Sequence, residues 1–326
     1  MTPLIEVTGD LDSDEPPERS TIPNLSNRLK PAITAGRPFF LDFPWMSSSA
    51  QVLVGPTGNR KGVNAVEHVY RGCREAGLSF IPVVGPHRDA ERIDIVREAM
   101  KTDGRGVCIR LPLGGVLWTQ SSLADTLRQL LQSLNTKAES ADLVLDLGYL
   151  GVEPGFEAEH LQRQLDSVPL LQTWRSLILI GTIVPETLAD WEEGGITEVP
   201  RHEWLLWKQL QALKPKRLPT FGDYAVQHPV PPAGGGPGMR ANIRYTGERL
   251  VLFARGYAIL EHGTPQYHEL CEMLVGRPEF KGPSYSWGDW LIDFYAKNSS
   301  PPGEPAWRGA GTSHHLRLAV DCLAAE

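Results

Sequence analysis

Acidic and basic side chains keep closing apolar, strand-like runs in this chain. Glu6 ends PLIE, Asp42 ends FFLD, Arg110 ends VCIR, Asp146 ends LVLD and Asp223 ends PTFGD, while Arg244 sits in ANIRYT. In a parallel α/β protein the carboxyl ends of all strands lie on one face, so residues far apart in sequence converge there. Glu6, Asp42, Asp146 and Asp223 gathered in one place repel each other unless they share a metal, a proton or a counter-charge. A hard divalent cation such as Mg²⁺ or Mn²⁺ is one solution, with Arg110 and Arg244 facing a phosphate or carboxylate. The alternative is a self-satisfied ring in which the two arginines pair with the acids.

Other residues join this set with weaker signals. His87, in VVGPHRD after the third strand, is a candidate general acid or base, or else a solvated or helix-capping residue. GPTGNRKG at 55–62 has a P-loop flavour, but Gly62 stands where Ser or Thr is needed, and a simple turn is expected. Gly311-Thr312-Ser313 before a helix offers free N–H groups for an anion, with His314 and His315 in its first turn, or serves only as a cap. Trp204 and Trp207, three apart, read as core packing.

The elements that must position these groups follow a repeating order. After the first strand come helix 24–35 and strand two, then helices 64–76, 89–101, 122–134, 157–165 and 201–213, alternating with strands 78–84, 106–111, 142–147, 176–181 and 218–222. That alternation predicts βα modules. An eighth strand comes from 241–245 or 249–254, two pieces that read as a hairpin around Thr246-Gly247-Glu248. The expectation is an α/β fold, a (β/α)8 TIM-barrel-like domain over 1–256; an open doubly wound sheet is the alternative, but no dinucleotide fingerprint follows strand one, where Val7 runs into TGDLDSDE. A C-terminal helical extension of the same domain, 257–326, packs on the barrel through helices near 265–275, 285–297 and 313–325. The Pro/Gly-rich loop His228–Met239 follows strand seven, where it is read as a lid or a solvated insertion, and KNSSPPGEP at 297–305 is a second loop.

Composition bounds the function. The 326 residues are 41% apolar and 22% charged, with no run near the roughly 20 apolar residues that span a bilayer. The first residues show neither a basic nor an apolar leader region, so a cytoplasmic location is expected. A net charge of -7 argues against a broad nucleic-acid-binding face. Cys73, Cys108, Cys271 and Cys322 are too scattered for zinc or a disulfide framework, and Cys108 reads as a buried, inert thiol.

The stretches DGRGVCIRL, ADLVLDLG, LPTFGDYAVQHP, ANIRYT, YSWGDW and WRGAGTSHHL together resemble the Beta protein family, a family with a phage T4 member and otherwise bacterial. The resemblance covers nearly the whole chain. It implies signature positions at Arg110, Asp146, Gly222, Asp223, Tyr224, Arg244, Tyr245, Trp287, Asp289, His314 and His315, and a phage or phage-defence association. Family members carry residues before the PLIE strand, which implies either an upstream start or a trimmed barrel bottom. The leading expectation is an anionic, phosphate-bearing ligand, a small molecule or nucleotide, hydrolysed with metal assistance. Asp146, Asp223 and His87 are its candidate catalytic residues. Glu6, Asp42, Asp146 and Asp223 are candidate metal ligands; Arg110, Arg244, Tyr224, Tyr245, His314 and His315 are candidate ligand-binding residues. The competing expectation is a non-enzymatic module, a defence or toxin–antitoxin component that recognises a partner protein.

Overall fold

The computed structural model describes residues 2–7, 25–33, 36–54, 61–86, 88–114, 119–152, 157–230, 239–298 and 304–326. His87, most of the 55–62 turn and residues 231–238 of the proposed lid lie outside the described residues.

The apolar runs form strands as expected. In chain order the first half reads β1 (Leu4–Glu6), α1 (Leu25–Leu29), β2 (Phe39–Asp42), β3 (Gln51–Val54), β4 (Lys61–Asn64), α2 (Ala65–Glu75), β5 (Phe80–Val84), α3 (Ala90–Asp103), β6 (Val107–Pro112), α4 (Gln120–Ser133) and β7 (Ala141–Tyr149). The second half reads α5 (Ala158–Asp166), β8 (Ser176–Thr182), β9 (Gly195–Pro200), α6 (His202–Leu213), β10 (Thr220–Asp223), β11 (Arg240–Thr246), β12 (Leu250–Ala258), α7 (Ile259–His262), α8 (Gln266–Val275), α9 (Trp287–Tyr295) and α10 (Glu304–Ala324). Every residue of β2 and β5 is buried, the mark of strands covered on both faces. Polar caps set the helix starts. The Asn64 side chain accepts from the Val66 and Glu67 amides at the head of α2, and Asp89 accepts from the Arg92 amide at the head of α3.

Seven strands make one sheet in the order β1-β2-β5-β6-β7-β8-β10, and the pairings from β1 to β7 are parallel. This corrects the eight-stranded expectation: the sheet is open, not a closed (β/α)8 barrel. The hairpin that was to supply the eighth strand does form, with Thr246 opposite Val251, but it runs antiparallel and takes β9 as its third strand. The outward-facing backbone groups of β12 are met by β9, which places the hairpin in a separate antiparallel sheet. β9 escaped the sequence reading because GITEVP is mostly half-exposed and lacks a long apolar run.

The described chain divides into two compact units, each built from discontinuous segments. Unit 1 comprises 1–146, 164–178 and 216–220; unit 2 comprises 147–163, 179–215 and 221–326. The core of unit 1 gathers Phe39, Leu41, Phe43, Val69, Tyr70, Cys73 and Phe80, with the Tyr70 and Phe80 rings stacked at 4.6 Å. That of unit 2 gathers Ile243, Tyr245, Leu252, Tyr267, Leu270, Leu274, Ile292 and Trp307 against the three-stranded sheet. Trp204 and Trp207 are buried against Phe221, as core packing predicts.

One helix differs from expectation. The last helix starts at Glu304, not near Ser313, so Gly311-Thr312-Ser313 lies inside α10 and its N–H groups belong to the helix ladder. The proposed anion nest is therefore absent from that position. Two glycines explain the packing. A Cβ on Gly311 would lie 2.6 Å from the Arg244 carbonyl of β11, and one on Gly288 of α9 would lie 2.0 Å from the Ala310 carbonyl of α10. Close backbone approach outweighs the roughly 1 kcal/mol that glycine costs a helix. Among the described residues no helix is long and apolar enough to cross a membrane.

Candidate functional site

Unit 1 brings three of the predicted acids onto one arginine. Arg110 of β6 meets Glu6 and Asp42, the last residues of β1 and β2, and Asp146 within β7. Its Nε donates to Asp146 Oδ2 at 2.8 Å, its Nη1 to Asp42 Oδ2 at 2.9 Å, and its Nη1 also to Glu6. A second guanidinium nitrogen, Nη2, lies 2.7 Å from Asp146 Oδ2. The backbone amide of Phe43 donates to the other Asp42 oxygen at 2.8 Å. All four side chains are largely buried, from 4% exposed for Asp42 to 19% for Glu6. Burial pushes the Glu6 carboxyl above its ordinary range; the Arg110 charge opposes this, and Asp42 and Asp146 reinforce it. The arrangement matches the self-satisfied ring for three of its members. Among the described residues no group of three or more His, Cys, Asp or Glu side chains is arranged to hold a metal.

The remaining acid, Asp223, sits in unit 2 with different partners. Its Oδ2 faces His315 Nε2 at 2.9 Å and Arg201 Nη2 at 3.9 Å, and its Oδ1 accepts from the Ala225 amide at 2.9 Å. Burial works against the charged form, but His315, the Ala225 amide and Arg201 carry the Asp223 carboxyl below its ordinary value. His315 Nδ1 lies 3.0 Å from Thr246 Oγ1, so the imidazole bridges the ends of β10 and β11. Arg201 Nε also donates to Glu203 Oε1 at 3.1 Å. Glu203 moves the other way: burial raises it, more than Arg201 lowers it.

His314 and Asp289 make a second buried pair. His314 Nδ1 faces Asp289 Oδ2 at 2.9 Å and its Nε2 faces the Thr246 carbonyl at 2.7 Å. Both oxygens only accept, so the imidazolium is the form that satisfies both contacts. Asp289 also accepts from the Tyr245 hydroxyl at 2.7 Å and the Ser286 hydroxyl at 2.6 Å, and the Tyr245 oxygen in turn accepts from the Lys281 amide at 2.9 Å. Despite burial, His314, Ser286 and Tyr245 hold the Asp289 carboxyl below its ordinary value. Burial and the Asp289 bond raise the Tyr245 hydroxyl. Asp289 and His314 are completely buried. Tyr245 and His315 are buried too, so these residues lock α9 and α10 onto the hairpin. A ligand in solvent does not reach them in this arrangement.

Arg244 of β11 takes a third position. It donates through Nη1 to the Val226 carbonyl and lines a cleft of about 70 Å³ in unit 2. Around it are Gln227, His228, Asn242, Glu186, Arg308 and the buried face of Trp307. One water needs roughly 10–15 Å³ of such space, so the cleft takes a group of phosphate or carboxylate size. With His228 neutral, Arg244 and Arg308 against Glu186 leave a formal charge of +1 on the lining. Tyr224 is half-buried in the turn after β10, where its carbonyl accepts from the Gln227 amide at 3.0 Å.

Arg308, Asn242 and Glu186 were missed by the sequence reading. Arg308 and Asn242 lie inside WRGAGTSHHL and ANIRYT, but nothing in their spacing marks them as neighbours; Glu186 sits in a loop without a motif. Arg201, Glu203 and Thr246 were missed for the same reason.

The family model described as Beta protein matches residues 1–321. No curated protein and no solved structure matches the chain.

Proposed function

The chain belongs to the Beta protein family, and on that footing we propose that it binds a small phosphate-bearing or carboxylate ligand in the unit 2 cleft. The observation that carries this reading is the convergence of Arg244 and Arg308 with the amides of Gln227 and Asn242 in a space the size of one anionic group. Guanidinium forks bind oxyanions with two parallel hydrogen bonds, and side-chain amides supply further donors at little electrostatic cost. His228 adds a ring nitrogen that donates in one tautomer.

Calorimetric titration of inorganic phosphate into the wild type and Arg308→Ala tests the reading. Arg308 is exposed, so its replacement opens no cavity in the core. Saturable binding lost in the variant supports the proposal, while no binding to the wild type sinks it.

The charge excess in unit 1 favours a second reading, metal-assisted hydrolysis. Glu6, Asp42 and Asp146 surround a single guanidinium, leaving two formal negative charges when all are ionised. A Mg²⁺ or Mn²⁺ ion that displaced Arg110 would be held by these oxygens. A saturable rise in thermal stability with either ion, absent in Asp146→Asn, would support it.

A further inference from the structure

The cleft has room for one phosphate, and the rest of a ligand that carries it would extend along the rim. One wall of the cleft is His228, and the Tyr149 ring packs against that imidazole at a centroid distance of 5.5 Å and an interplanar angle of 62°. In an edge-to-face contact, whichever ring supplies the edge, at least one face of the tyrosine is left uncovered by its partner. Tyr149, the last residue of β7, is 39% exposed and follows Gly148, whose φ is 65°. An aromatic plane thus stands one ring away from an anion cleft. Cleft wall, imidazole and phenol all belong to unit 2.

Resting on the anion reading above, we propose that the ligand is a nucleoside monophosphate whose phosphate enters the Arg244–Arg308 cleft and whose base stacks on Tyr149. The spacing suits this class: a ribose separates phosphate from base, and the His228 ring separates the cleft from the tyrosine. Charge sets the number of phosphates. A lining of formal charge +1, with Glu186 among its members, accommodates a single phosphate, whereas a di- or triphosphate brings further negative charge toward that carboxylate. Stacking on an aromatic ring tolerates any base, so the site reads the presence of a base more than its identity.

The test titrates inorganic phosphate, ribose 5-phosphate, AMP and ATP into the wild type, Arg308→Ala, Tyr149→Ala and Tyr149→Phe. Wild type is expected to bind AMP at least fivefold tighter than ribose 5-phosphate, the lower end of what one stacked base contributes, and tighter than ATP. Tyr149→Ala should erase the advantage of AMP over ribose 5-phosphate, and Tyr149→Phe should keep it. Arg308→Ala should weaken all four. Equal affinity for AMP and ribose 5-phosphate overturns the proposal and leaves the anion reading standing. A preference for AMP that survives in Tyr149→Ala also overturns it, by removing the tyrosine from the site. If even inorganic phosphate fails to bind the wild type, the anion reading falls and this proposal falls with it.

Discussion

Removing the Arg110 guanidinium while keeping its volume, as in Arg110→Met, would leave Glu6, Asp42 and Asp146 facing one another inside unit 1 with their shared cation gone. Two unit charges 4 Å apart interact by about 4 kcal/mol at an effective dielectric of about 20, and breaking a buried ion pair by deleting one partner costs about 3–5 kcal/mol. The geometry places this site at the upper end, because one arginine serves three carboxylates that are each at least four-fifths buried. A loss of about 3–5 kcal/mol lowers the melting temperature by roughly 6–20 °C for a unit of ordinary domain size. The sign with pH can be worked from Glu6, whose carboxyl is raised by burial even in the presence of Arg110. A raised acid is neutral at no cost below its unfolded value, and its contribution to stability falls as pH rises through the folded value. Deleting the cation enlarges that effect, so the deficit of Arg110→Met should be greatest at pH 7 and shrink toward pH 4. Urea unfolding of wild type, Arg110→Met and Arg110→Lys at pH 7, 5.5 and 4 measures it. Lysine should fall between the other two, since it keeps the charge but not the fork that reaches three partners. A loss under about 1 kcal/mol at pH 7, or a deficit that does not narrow with acid, would refute the reasoning.

Two further outcomes follow from the way α9 and α10 are anchored. Gly288→Ala gains up to about 1 kcal/mol of helix propensity, but its Cβ would sit 2.0 Å from the Ala310 carbonyl. The clash should cost about 1–3 kcal/mol or more, so the net change in urea midpoint is expected to be destabilising. Asp289→Asn strips the buried partner from His314 and should cost about 3 kcal/mol or more at pH 7. Asp289 is held below its ordinary value, so its contribution is present above the unfolded carboxyl range and is lost as pH falls through the folded value. The gap between wild type and Asp289→Asn should therefore close in acid, as unfolding at pH 7 and pH 3 would show.

What the sequence decided by itself is the set of local elements. FFLD, FIPVV and LVLD are continuous apolar runs closed by charge or a turn, and such runs fold as buried parallel strands with little regard to their neighbours. The Asn64 and Asp89 caps and the hairpin at Thr246-Gly247-Glu248 are equally local, because each is a hydrogen-bond solution found within a few residues. The meeting of Arg110 with Glu6, Asp42 and Asp146 was also legible, since parallel strands bring their carboxyl ends together by rule. Only the tertiary structure decided how many strands join the sheet and which strand the hairpin pairs with, for β9 carries too weak an apolar pattern to announce itself. It also decided that His314 and His315 lie inside a helix and not at its head. Gly311 reads as a helix breaker in isolation, and only the close approach of the β11 backbone shows why it is tolerated there. The cleft belongs to the same class: Glu186, Asn242 and Arg308 are strangers in sequence, and their common chemistry exists only where packing places them side by side.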